Sequence, residues 1–244
     1  MSPDTESAVQ KESGNWPVLD MRERRVLGVL VEKAKTTPDA YPLSINALIT
    51  GSNQKSNRDP LLNLTDLEVE EALVRCQKKG LAIKITGGRV VRWKHNLYDA
   101  WHVEKVELAV MGELLLRGPQ TEGELRSRAS RMEPIDDLDA LRNALRPLVE
   151  RKLVVYLTPQ ERRGAMLTHG FHDPHELERL RSRVAAEPVA ESPPSAPPAS
   201  LAKEERLSEL ESGLRAAREE IAALRQTLAD LQEELRLLKQ SLGV

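Results

Sequence analysis

Three groups of residues in this sequence carry side chains that could do chemistry. The first is the run Asn53-Gln54-Lys55-Ser56-Asn57-Arg58-Asp59-Pro60, which sets two cations among amides and a hydroxyl. Lys55 and Arg58 could contact phosphate oxygens. The same Asn, Ser and Asp side chains also satisfy loop backbone groups, which would make the run a rigid connector. The second group is Lys84, Arg89, Arg92 and Lys94, spread around Thr86-Gly87-Gly88. With Lys55 and Arg58 they are the candidate DNA contacts, chiefly to phosphates, which position a protein without reading sequence. The third group is His169, His172 and His175 at a spacing of three. Imidazole is a common zinc ligand. Here, though, Asp173-Pro174-His175-Glu176 reads as a capping residue, an N1 proline and an N3 glutamate opening a helix. No metal or other cofactor is therefore expected. The single cysteine, Cys76, falls at helical spacing from Val69, Ala72 and Leu73 and reads as a small buried apolar residue. No nucleophile–base set or glycine-rich phosphate loop supports catalysis, so the chain is read as a non-enzyme with no catalytic residues.

These groups need elements to hold them. Asp20 and Glu23 form a capping box ahead of a helix whose Leu27, Leu30, Val31 and Ala34 recur at helical spacing. Thr37-Pro38 stops it. Tyr41-Pro42-Leu43 allows only an edge strand, and Ser44 caps a short helix, Ile45 to Thr50, ended by Gly51. The polar loop follows. Thr65 and Glu68 make a second capping box, opening a third helix with Leu67, Val69, Ala72, Leu73 and Cys76 on its apolar side and Gly80 at its end. LAIKI and RVVRW then flank a Gly-Gly pair, a strong hairpin signal. Helix, strand, helix, helix and hairpin in this order make a winged helix.

A second version of the order follows. Asp99 is expected to cap a helix running to about Arg117, with Val103, Val106, Val110 and Leu114 on one side. Thr121 and Glu124 form a third capping box, for a helix to about Arg131. Asp136 or Asp137 caps the next, along which Leu138, Leu141, Leu145 and Leu148 line up. Pro147 should kink or end that helix near Arg146, because interior proline costs about 3 kcal/mol. VVYLTP and GAMLT frame a second hairpin.

The expected fold is thus mainly α with small β-hairpins: two tandem winged-helix domains, 19–98 and 99–172, plus a C-terminal coiled-coil helix. Residues 1–18 read as a disordered arm, 173–184 as a short helix and 185–200 as a Pro/Ala-rich linker. From 201 to 244, apolar residues repeat in heptads. Leu207, Leu214, Ile221, Leu228, Leu235 and Leu242 hold one core position; Leu210, Ala217, Leu224, Leu231 and Leu238 hold the other. A helix over the run is roughly 54 Å long. In a parallel pair, Arg206 would meet Glu211, Glu220 would meet Arg225, and Glu234 would meet Lys239, so a homodimer through the coiled coil is expected.

Composition bounds the rest. In 244 residues, aromatics make up 3%, so Leu, Val, Ile and Ala must build the cores. A net charge of −2 excludes a broadly basic, nucleic-acid-coating protein. No apolar run approaches a membrane span, and one cysteine fits a reducing cytoplasm.

The segments PDAYPLSINALITGSNQKSNRDPLLNLTDLEVEEAL and LLLRGPQTEGELRSRASRM resemble the YceH-like family, bacterial proteins of unknown function, over about residues 19–170. The resemblance implies two tandem winged helices in a cytoplasmic bacterial protein and brings no reaction. The sequence departs from the family pattern at Ser52, where relatives often carry Cys, and in a shorter second hairpin. Two functions fit. One is a dimeric DNA-binding or transcription-regulatory protein: residues 20–99 hold 14 Lys or Arg against 10 Asp or Glu. The other is a scaffold for an unidentified protein partner, because Asp66, Glu68, Glu70, Glu71 and Asp136, Asp137, Asp139 make the third-helix N-termini acidic where DNA would dock.

Overall fold

A computed structural model describes residues 16–186, except 89, 161 and 163. The expected linker and coiled coil lie outside the described residues.

The first half opens with α1 (Met21–Thr36), whose Asp20–Glu23 capping box forms in both directions. A short β1 (Leu43–Ser44) leads into α2 (Ile45–Ser52), capped by the Ser44 hydroxyl. After the polar loop, α3 (Asp66–Lys78) starts on the Thr65–Glu68 box. β2 (Ala82–Ile85) and β3 (Arg92–His95) form the hairpin, and the antiparallel sheet runs β1-β3-β2. A one-turn helix, α4 (Leu97–Trp101), links the halves.

The second half repeats the order: α5 (Lys105–Arg117), β4 (Gln120–Thr121), α6 (Glu122–Ala129), α7 (Leu138–Glu150), β5 (Val154–Tyr156) and β6 (Met166–His169), with sheet order β4-β6-β5. α8 (Pro174–Ala186) ends it, with Asp173 Oδ1 accepting from the His175 and Glu176 amides. That helix runs two residues past its expected end at 184.

Four expectations need correction. The helix expected from Asp99 to Arg117 is two helices. His102 takes a left-handed conformation (φ 46°), and Glu104 with Glu107 makes a new capping box there. Pro147 does not end its helix, because α7 continues through it to Glu150. It lies in the last turn, and the carbonyl its missing N–H would have served belongs to exposed Asn143. Leu67 and Leu138, expected on apolar stripes, are solvent-exposed. Trp16, expected in a disordered arm, packs edge-on against Phe171 and donates its indole N–H to the Arg151 carbonyl at 2.7 Å.

The two halves lie in one compact unit and meet through their first helices. α1 and α5 bury side chains all round, Val26 to Val31 in one and Leu108 to Leu116 in the other, because each faces both its own sheet and the opposite helix. Two glycines allow the approach. A Cβ on Gly28 would stand 2.7 Å from Leu116 Cγ, and one on Gly112 would stand 2.6 Å from Val31 Cγ1. Each glycine lies at the same distance after its N-cap, 20 to 28 and 104 to 112. The glycines hold equivalent places, but their partners are offset by one residue: Gly28 faces Leu116, whereas the equivalent of Val31 is Leu115. The Leu19 amide donates to the Phe171 carbonyl at 3.0 Å, tying the start of the first half to the end of the second.

Candidate functional site

The polar loop is a rigid connector, and Arg58 is its pin. The Arg58 guanidinium is buried, donating to both Glu32 oxygens at 3.3 and 2.5 Å and to the Gly51 carbonyl at 2.9 Å. Gln54 Oε1 and the Asn57 carbonyl accept its remaining protons. This corrects the expectation of a phosphate contact at Arg58, since all its donors are used inside the protein. Asn53 mimics a strand residue: its amide donates to the Leu64 carbonyl and accepts from the Leu64 amide. The Asp59 amide donates to the Leu116 carbonyl, and Arg117 donates to Asn57 Oδ1, so the loop is also fastened to α5. Lys55 and Ser56 stay exposed at the apex.

The hairpin divides its cations between two faces. Ile83 pairs with Lys94 and Ile85 with Arg92, so Arg92 and Lys94 share the outer face. Lys84 pairs with Trp93 on the other face, its ammonium 5.5 Å from the ring centroid. Arg92 also donates to the Pro42 carbonyl at 2.7 Å. Arg89 lies outside the described residues.

The third helices differ most at their outward faces. In α3, Val69, Ala72, Leu73 and Cys76 are buried. Burial, together with the carboxylate of Glu23, pushes the Cys76 thiol far up, so it stays protonated and inert. Outward stand Leu67, 66% exposed, and Glu70 and Glu71, with Leu61, 62% exposed, in the loop just before. Two of the basic residues at the end of α3 turn back onto α1, while Lys78 is exposed. Arg75 reaches Asp20 at 2.9 Å, and Lys79 reaches Glu23 at 2.6 Å. In α7 the positions equivalent to Glu70, Glu71 and Val74, counted back from the C-caps Lys79 and Arg151, are Arg142, Asn143 and Arg146. Arg142 pairs with Glu122 at 2.9 Å, and Arg146 is exposed. Sequence reasoning passed over these three; their register against buried Leu141 and Leu145 is the signal that could have found them.

The histidines also separate. His169 and His172 are buried and stacked, centroids 4.0 Å apart, while His175 is exposed on α8. Burial lowers the affinity of both stacked rings for a proton. Arg24 and the Glu176 carboxylate both reach the His172 Nδ1, at 2.8 and 3.0 Å; with His172 neutral and Nδ1 accepting from Arg24, Nε2–H is left for the Thr168 hydroxyl at 3.0 Å. Among the described residues, no three His, Cys, Asp or Glu side chains are placed to hold a metal ion.

A mainly helical body with small three-stranded antiparallel sheets defines the class; none of its described helices is long and apolar enough to cross a membrane. Comparison with known proteins gives the family. Residues 19–164 match the model of a protein of unknown function, DUF480, and the chain belongs to that family. It is 42% identical to the UPF0502 protein RB6530 of Rhodopirellula baltica, over 84% of this chain and 90% of that one. A UPF0502 protein of Geotalea daltonii is 44% identical, covering 78% and 85%. The UPF0502 protein Pfl01_3711 of Pseudomonas fluorescens is 36% identical, covering 89% and 95%.

Proposed function

We propose that this chain is a non-enzymatic, cytoplasmic tandem winged-helix protein that serves as a protein-interaction platform, with the outward face of α3 as the contact. One observation carries the reading. Where a DNA-reading helix would present cations, α3 presents Leu67 flanked by Glu70 and Glu71, with Leu61 just before it. Of the cations toward its far end, Arg75 and Lys79 are held by Asp20 and Glu23, and exposed Lys78 lies about three turns beyond Leu67. Carboxylates there repel phosphates, whereas exposed leucines with an acidic rim suit a partner with an apolar patch rimmed by Lys or Arg. In this reading the heptads from Leu207 to Leu242 pair two copies, so that two α3 faces act together.

A second reading keeps DNA as the partner. It is favoured by Arg142, Asn143 and Arg146 on α7 and by Arg92 and Lys94 on the first hairpin. A photo-crosslinking residue at position 67 or at position 143, in the full chain in cells, separates the two. The platform reading expects one discrete protein adduct from position 67, lost when Glu70 and Glu71 become Lys. Adducts to DNA from position 143, with none from 67, would replace it.

A further inference from the structure

We propose that the cleft where α1, the second sheet and α8 meet binds a small amphipathic organic anion, a carboxylate or sulfonate on an apolar body. This goes beyond the platform reading and does not depend on it. The cleft encloses about 360 Å³, within the range of small-molecule sites.

The repeat shows that part of this cleft is not required by the fold. Four and five positions after its N-cap, α5 buries Leu108 and Ala109. At the same positions α1 carries Arg24 and Arg25. The same architecture thus closes with apolar residues in one half and with two buried arginines in the other. Arg25 is only 2% exposed and donates to two neutral groups, the Ser52 and Pro60 carbonyls. A guanidinium buried against carbonyls, with Arg58 nearby and Asp59 offsetting it only in part, is a charge without full compensation. Burial and the Arg58 charge lower its pKa to about 10, so it is still cationic at neutral pH.

The remaining charges favour an anion. Arg117 and Arg183 also line the cleft, against Asp59 and Glu176, and Arg117 is paired with Glu113 at 2.9 Å; with Glu113 counted, one positive charge is left over. Glu176 is already neutralised by Arg24, at 2.9 and 3.1 Å. His169 and His172 are held neutral by burial and add no charge. Between the arginines, Met21, Leu115, Pro119, Met166, Leu180 and Val184 supply an apolar wall. Positive charge behind low-dielectric walls focuses the field on an anion, and the wall selects one with an apolar body. The occupant would touch α1, α5 and α8 together.

The probe is 8-anilinonaphthalene-1-sulfonate, titrated into the full chain by fluorescence. One saturable site per chain is expected. N-phenyl-1-naphthylamine, which lacks the sulfonate, should bind at least ten-fold more weakly. Arg183→Glu and Leu180→Glu on α8 should each weaken the sulfonate at least ten-fold without lowering the melting temperature. Leu67→Glu, which removes an exposed leucine elsewhere, should leave it unchanged. Equal affinity for the uncharged probe, or loss of signal in Leu67→Glu with none in Arg183→Glu, would overturn the assignment. Arg183 is exposed, so that variant reports on the site even if Leu180→Glu disturbs α8.

Discussion

The two halves solve the same packing problem with different residues, and the differences separate what the fold requires from what it merely carries. Several devices are repeated. Each first helix starts on a capping box whose N3 glutamate also takes a cation from the third helix: Glu23 from Lys79, and Glu107 from Arg151. Each carries a glycine where the other helix crosses. Each third strand ends in a histidine paired with the start of its neighbour, His95 with Ala82 and His169 with Val154. What is not repeated stands out. Glu32, Arg24 and Arg25 of α1 correspond to Leu116, Leu108 and Ala109 of α5. Glu70 and Glu71 of α3 correspond to Arg142 and Asn143 of α7. The repeated set holds the body together, and the unrepeated set marks the long loop, the arginine-lined cleft and the outward faces.

Breaking the unrepeated ion pair should have the largest effect. Arg58→Ala leaves Glu32 buried without its main partner and should cost about 3–5 kcal/mol, read as a lower urea midpoint. The second half already has leucine at the Glu32 position, so the comparison can be sharpened. The double change Arg58→Met with Glu32→Leu should recover most of that loss, because replacing a buried pair by apolar side chains is often neutral. A double variant as unstable as the single one would show that the loop needs the charges themselves.

A smaller effect is expected at the repeated glycines. Gly112→Val drives a side chain into Val31, and overpacking of this kind costs about 1–3 kcal/mol. Gly28→Val meets Leu116 in the same way and should cost about the same, since both added Cβ atoms come under 3 Å from a side chain of the opposite helix. Unequal losses in thermal melts of the two variants would show that the two glycines are not equivalent.

The histidines give the gentlest test. Burial, chiefly, lowers His95 to about 4, with Lys35 and Lys94 adding to it. The unfolded chain takes up a proton near pH 6.5 that the folded chain refuses until about 4. The stability from a neutral His95 is therefore complete above 6.5 and is lost as pH falls toward 4. His95→Phe should flatten the acid limb of a urea-midpoint profile over that window. An unchanged limb would assign the acid sensitivity to other groups, His169 first.

Much of this body could be read from local sequence, and the reasons are physical. Capping boxes at Asp20–Glu23, Thr65–Glu68 and Thr121–Glu124 act over three residues, and all three form. The Gly-Gly hairpin is equally local. The break at His102 escaped because the stripe Val103, Val106, Val110 continues smoothly backward, and the new helix starts on a Glu–Glu box without Ser, Thr or Asp. Arg58 could be read as part of a rigid connector, but not as the partner of Glu32, because Glu32 lies in α1 and no spacing rule links the two. The same holds for Lys79 with Glu23 and for Arg24 with Glu176. Leu67 sits at the edge of the α3 stripe, where one helical position decides between core and solvent. The candidate site was legible as composition, in the acidic turns, but which face those turns present depended on the burial of Val69, Leu73 and Cys76.

The most direct test of the α3 platform is a fluorescence-anisotropy titration of the full chain with random duplex DNA, carried to low salt, where phosphate contacts are strongest. Flat anisotropy is predicted, unchanged in Arg142→Ala and Arg146→Ala. Saturable binding that falls with roughly 0.9 in log–log salt slope per phosphate contact, and that weakens when Arg142, Arg146 or Arg92 is removed, would contradict it and assign the protein to DNA.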